Sequence, residues 1–277
     1  MPKLTSTSES KILACDLGGL LIKTAPCYFR ANQRALNELK DPFATFGWNV
    51  NEYSESDFRN HNMKTDIGTI GFLRKKISNI SISKTITPEK LLEDFSVKRE
   101  SYFYKEVEDA HKAKNFVEEE RVEIITKVIT DFSELIFGIV TTKKNNILQR
   151  LTNFNNVNHL VQRPNTQIIT TDDPELRKKP FPDLYQKLLE LVGNHPLIAL
   201  EDSPRGAVST LAADGKPLVL INSMTDTSDF PNGTMFLNIQ DLPYLIKQFT
   251  LWNTSYHYDK KTTSKEIIEQ INKVIAK

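Results

Sequence analysis

Five short apolar runs mark the chain, most of them closing on a polar residue. They are KILACD (11–16), LIFGIVTT (135–142), TQIITT (166–171), PLIALED (196–202) and PLVLIN (217–222). Each is rich in Ile, Val and Leu, as strands covered on both faces are. Between them the period changes. In PFPDLYQKLLELVG, Tyr185, Leu188, Leu189 and Val192 share one helical face, Pro182 suits a first helical turn and Gly193 a C-cap. SPRGAVSTLAADG (203–215) reads as the next helix, closed by Gly215. Strand and helix alternating in this way predict a doubly wound (Rossmann-like) α/β fold with a parallel sheet.

The interval from 25 to 130 breaks the alternation. PCYFRANQRALNELK places Tyr28, Ala31, Ala35, Leu36 and Leu39 on one stripe, and Thr87 can N-cap a helix that has Pro88 at its first position. LLEDFSVKRESYFYKEV and VEEERVEIITKVITDF continue as helix, the acidic run VEEER as a solvated face. The expectation is an α/β core from residues 1–24 and 131–277, with a helical cap, 25–130, inserted over the strand ends. A loop and a short helix, SKEIIEQINKVIAK, are expected after residue 245.

Composition narrows the function classes. Of 277 residues, 36 are basic and 35 acidic, so the net charge of +1 gives no reason to expect nucleic acid or a membrane as partner. No uncharged apolar run approaches the roughly 18 residues of a membrane span. The polar start MPKLTSTSES has no signal core, and the expectation is a cytoplasmic protein, monomeric or weakly dimeric. Cys15 and Cys27 are too few for a disulfide framework or a Cys-based zinc site. His61, His111, His159, His195 and His257 show no HxxxH or HExxH spacing and read as surface or packing residues.

The chemistry gathers at four strand ends. Asp16 ends the first run and Thr141 the second; Lys179 follows the third in RKKPFPDLY, with Lys178 its rival; Glu201 and Asp202 end the fourth in EDSPRG. Carboxyl ends of strands are where open α/β sheets bind ligands. Carboxylates at adjoining strand ends can hold Mg²⁺. A lysine and a hydroxyl supply donors for phosphate, and a carboxylate can attack phosphorus to form an aspartyl-phosphate.

These residues resemble the haloacid dehalogenase-like (HAD) superfamily. Its D-x-D-G-[TV]-[LIV] motif reads DLGGLL from Asp16; its strand ending in Ser or Thr reads GIVT, ending at Thr141; its K-P-x-P-D reads KPFPD from Lys179; its E-D-S-x-x-G reads EDSPRG from Glu201. The helical insertion, opening with TAPCYFRANQRALNEL, is similar to the cap of the β-phosphoglucomutase and phosphoglycolate phosphatase branch. The resemblance implies a Mg²⁺-dependent hydrolase acting on a small phosphorylated metabolite. It implies Asp16 as nucleophile and metal ligand, Thr141 and Lys179 as phosphate binders, and the Gly18 carbonyl, Asp202 and Glu201 at the metal.

One position departs. The residue two past the nucleophile is an aspartate in the phosphatases, where it moves the proton; here it is Gly18. General acid–base help is commonly worth about 10² to 10⁴ in rate, so turnover is expected to be slow or altered. A catalytically silent relative that binds a phosphorylated ligand or a protein partner is one alternative. A phosphonate hydrolase that uses Lys64 of the cap for a Schiff base is another. Lys23 also stands where several relatives carry an acidic residue, and Arg59, His61 and Arg74 are further cap residues that could contact substrate.

Overall fold

β1 (Lys11–Cys15) is buried along its whole length at the interior of a seven-stranded sheet. The computed structural model describes residues 10–63, 68–77, 86–153, 157–221, 226–251 and 262–263. β2 (Leu135–Val140), β3 (Gln167–Ile169), β4 (Leu197–Glu201) and β5 (Lys216–Leu220) fall on the other four apolar runs. Two strands, β6 (Met235–Leu237) and β7 (Thr262–Thr263), were not expected from the sequence. Their three and two residues are too short to show a pattern.

The order is β3-β2-β1-β4-β5-β6-β7, and every pairing is parallel. The chain leaves β1 toward β2 and β3 and then returns to β4 on the other side. The carboxyl ends of β1 and β4 therefore flank a point where the strand order reverses, the usual crevice of such sheets. The fold is the doubly wound α/β sheet expected.

Two compact units divide the chain, Met1–Leu21 with Glu118–Lys277, and Ile22–Val117. The first contains the sheet. The helix Asp183–Val192 buries Leu184, Tyr185 and Leu188 in a cluster with Ile12, Ala14 and Val140 of the sheet. Its apolar face is thus as expected, but Pro182 is the N-cap residue rather than the first helical position. Gly138 of β2 leaves room for Leu188: a Cβ there would lie 3.0 Å from the leucine Cδ2.

The helix Pro204–Ala212 follows β4 directly, and Glu119–Asp131 counts with this first unit. Where a loop was expected from about residue 245, the helix Leu242–Leu251 runs on to Leu251. Leu242, Leu245 and Ile246 recur at helical spacing and are buried. The expected helix SKEIIEQINKVIAK lies outside the described residues.

The second unit is helical. Thr24–Glu38 buries Cys27, Ala31, Asn32, Ala35 and Leu36, and Pro88–Lys112 is its longest helix. Thr87 caps the latter by accepting from the Lys90 N–H at 3.2 Å, with Pro88 beginning the helix as expected. Tyr28 stacks on Phe103 at 3.9 Å between ring centroids. His61 stacks on Phe72, and Lys23 donates to Asn115 Oδ1 at 2.8 Å. Lys64 lies outside the described residues. Among the described residues no helix is long and apolar enough to cross a membrane.

Leu188 is fully buried against Gly138. Leu188→Ala is expected to lower unfolding free energy by about 2–5 kcal/mol, read from urea denaturation. A loss below about 1 kcal/mol would contradict this packing.

Candidate active site

Strand register brings the site residues together. β1 pairs Cys15 with Leu200 of β4, so Asp16 and Glu201 are the next residues on adjoining strands. The Asp16 N–H donates to the Leu200 carbonyl at 3.0 Å, continuing the ladder one step. On the other side Cys15 pairs with Ile139, which puts the Val140 carbonyl and then Thr141 at the same end of the sheet.

Lys179 enters from the loop after β3 and is 3% exposed, whereas Lys178 is exposed to solvent. Its Nζ donates to Asp16 Oδ1 at 2.7 Å, to Glu201 Oε1 at 2.6 Å and to the Val140 carbonyl at 3.0 Å. Three acceptors match the three donors of an ammonium group. Burial alone would lower its pKa, but the charges of Asp16 and Glu201 outweigh burial and hold it well above the ordinary lysine value. Lys179 therefore stays a cation.

The loop that carries Lys179 is itself fixed. Arg205 donates from Nε and Nη2 to the Lys179 carbonyl at 3.2 and 2.8 Å. Ser209 donates to the Phe181 carbonyl at 2.6 Å. Arg177 pairs with Asp183 at 2.8 Å, at the start of the next helix.

EDSPRG has a separate use for almost every residue. Glu201 ends β4, and Ser203 caps the following helix by accepting from the Gly206 N–H at 3.2 Å. Pro204 starts the helix and Arg205 holds the lysine loop. Gly206 is required by space: a Cβ there would fall 1.8 Å from Glu201 Oε2. The same holds in DLGGLL. Gly19 has φ +88°, and a Cβ would fall 1.7 Å from Asp202 Oδ2. Gly18 has no such backbone demand, since its φ is not positive.

Carboxylate oxygens of Asp16, Glu201 and Asp202 lie within 4.8 Å of one another, and all three residues are buried. Among the described residues Lys179 is the one cation hydrogen-bonded to this group, against three carboxylates. Burial, opposed by Lys179, pushes Glu201 up to about 7. Burial and then the charge of Asp16 push Asp202 well above the carboxylate range. Glu201 Oε2 has no hydrogen-bond partner although it is buried. An oxygen-only donor set with uncompensated charge suits a hard divalent cation such as Mg²⁺.

Thr141 is 1% exposed at the end of β2; its N–H donates to the Ile169 carbonyl and its Oγ1 accepts from the Lys143 N–H at 3.3 Å. Two contributors escaped the sequence reading. Tyr185, read there as part of an apolar helical face, donates its hydroxyl to Glu201 Oε1. Arg121, inside the acidic run expected to be solvated, donates from Nη1 to the Gly19 and Leu20 carbonyls at 3.2 and 3.3 Å. Its Nη2 reaches the Ile221 carbonyl at 3.3 Å. A tyrosine six residues after the lysine, on the helix face turned to the sheet, was the signal available for the first.

Gly→Ala inside a helix ordinarily stabilises by roughly 0.5–1 kcal/mol. Gly206→Ala is expected to reverse that sign, because the new Cβ displaces the Glu201 carboxylate. A melting temperature equal to or above that of the parent would contradict the geometry.

No family model matches the chain, and no curated protein matches it. Solved structures do. A HAD hydrolase, family IA, variant 3, from Entamoeba histolytica is 18% identical with a TM-score of 0.60, over 86% of this chain and 99% of its own. CbbY from Rhodobacter sphaeroides in complex with phosphate is 18% identical with a TM-score of 0.55, over 83% and 93%. A β-phosphoglucomutase from Clostridium difficile is 13% identical with a TM-score of 0.56, over 86% and 96%. The chain shares the fold of these structures, a HAD hydrolase and a β-phosphoglucomutase among them, in keeping with the superfamily its four motifs resemble and the branch its helical insertion resembles.

Proposed function

We propose that the protein is a Mg²⁺-dependent hydrolase of a small phosphorylated metabolite, with Asp16 as nucleophile. The observation that carries this reading is the buried Lys179 ammonium bonded to Asp16 Oδ1 at 2.7 Å, at the carboxyl end of the sheet's interior strand. A lysine so placed holds one carboxylate oxygen and offsets negative charge beside it. The fold relative CbbY, seen in complex with phosphate, supports a phosphorylated ligand.

An oxygen of Asp16 attacks phosphorus, the bond to the leaving oxygen breaks, and an aspartyl-phosphate forms. The Thr141 hydroxyl binds a phosphoryl oxygen, and Lys179 binds another by turning one N–H to it from one of its three present acceptors. Water then attacks the aspartyl-phosphate, the bond from phosphorus to Asp16 breaks, and phosphate leaves carrying the water's oxygen, the water's protons passing to the phosphate or to solvent. Asp16, Asp202 and the Gly18 carbonyl would hold Mg²⁺, with Glu201 beside them. When bound, the ion offsets negative charge on the transferring group.

Gly18 sets the rate. With no side chain there, the leaving oxygen departs as an anion or takes its proton from water. Esters of alcohols, which are poor leaving groups, are slowed most, and acyl or aryl phosphates least. Gly18 also favours a second reading, a catalytically silent relative that binds a phosphorylated ligand. The phosphonate reading rests on Lys64, which lies outside the described residues.

A panel of phosphorylated metabolites with and without Mg²⁺ tests these readings. Slow Mg²⁺-dependent phosphate release, abolished by Asp16→Asn, is the expected result. Gly18→Asp should raise the rate on alkyl esters by about 10² to 10⁴ and raise it less on acetyl phosphate, where only hydrolysis of the aspartyl-phosphate gains from the new carboxylate. No release from the parent chain, with release from Gly18→Asp, would favour the silent binder. No release from either would overturn the hydrolase reading.

A further inference from the structure

Glu201, read from its motif as lying at the metal, and Tyr185, read as part of an apolar helical face, together form a support behind Lys179. Tyr185 is fully buried, and its hydroxyl donates to Glu201 Oε1, the same oxygen that receives Lys179 Nζ at 2.6 Å. The lysine Nζ also lies 5.1 Å from the centroid of the Tyr185 ring. Glu201 is 0% exposed, and Gly206 leaves space for its other oxygen. Tyr185 is held in turn by the packed cluster of Leu184, Leu188, Ile12 and Val140.

We propose that Tyr185 is a positioning residue: through Glu201 Oε1 it aims the Lys179 ammonium at Asp16. The buried chain Tyr185–Glu201–Lys179–Asp16 transmits the rigidity of the core to the nucleophile. A carboxylate that accepted only from lysine could rotate and take the ammonium with it. The tyrosine hydroxyl fixes that rotation at the cost of no added charge. The catalytic consequence rests on the hydrolase reading above, but the positioning itself does not.

The test uses Tyr185→Phe, Glu201→Gln and the double variant in the full chain. Tyr185→Phe keeps the ring over the lysine and removes only the hydroxyl. Whole-protein acetylation is followed by mass spectrometry, with exposed Lys178 as the internal standard for Lys179. Tyr185→Phe is expected to raise the Lys179-to-Lys178 labelling ratio by about tenfold, the worth of one hydrogen bond to a charged group. An unchanged ratio in a folded variant overturns the proposal. If Tyr185→Phe melts too early for this comparison, the ratio is read in Glu201→Gln and in the double variant. Equal ratios there support the relay, and a higher ratio in the double variant overturns it.

Phosphate release gives a second readout. Tyr185→Phe should lower kcat by about tenfold with KM nearly unchanged, and the double variant should be no slower than Glu201→Gln alone. Multiplying losses would overturn the relay through Glu201. Absence of release in the parent chain would overturn the hydrolase reading, and the labelling ratio would still decide the position of Tyr185.

Discussion

The site depends on one buried cation. Lys179 is taken out of water, and its bonds to Asp16, Glu201 and the Val140 carbonyl, with the Tyr185 ring beside it, offset the cost. A buried ion missing a partner is destabilising by several kcal/mol, so those partners must be present together. That requirement explains features that look unrelated in the sequence. β1, β2 and β4 must adjoin so that Asp16, Val140 and Glu201 meet. Gly206 must lack a side chain so that Glu201 fits, and Arg205 must hold the loop that delivers the lysine.

A second constraint acts on the loop after Asp16. Leu17, Leu20 and Leu21 are fully buried, and Gly19 gives way to Asp202. Arg121 ties the Gly19 and Leu20 carbonyls to the helix Glu119–Asp131. The backbone here is anchored although position 18 has no side chain. The structure thus keeps what positions the carboxylates, while Gly18 offers no side chain for the proton transfer that the proposed reaction would use. Binding and nucleophilic attack need the first; protonation of a poor leaving group needs such a side chain.

Much of this was legible before the fold was known. Strand ends are conspicuous when apolar runs close on Asp, Thr or Glu-Asp, and Asp16, Thr141 and Glu201–Asp202 were placed on that signal; Lys179, ten residues past β3, was placed by KPFPD standing between the second and fourth motifs. Helix starts with an explicit cap, such as Thr87–Pro88, were equally plain. What escaped depends on neighbours distant in sequence. Tyr185 looks like an apolar stripe residue until Glu201, sixteen positions later, is set against it. Arg121 sits in a charged run whose solvated appearance is correct for Glu119 and Glu120 but not for the arginine. β6 has too few residues to show a period, whereas Leu242, Leu245 and Ile246 of Leu242–Leu251 do recur at helical spacing, over only about three turns with Pro243 in the first.

The central claim is that Asp16 attacks phosphorus and that position 18 gives no help in releasing it. The most direct measurement is intact-protein and peptide mass after exposure to acetyl phosphate and Mg²⁺, a donor whose leaving group needs no proton. The account predicts one phosphoryl group on Asp16, cleaved by hydroxylamine, absent in Asp16→Asn, and longer-lived in the parent chain than in Gly18→Asp. A phosphoryl group on another residue, or phosphate released with Asp16 never modified, would contradict it.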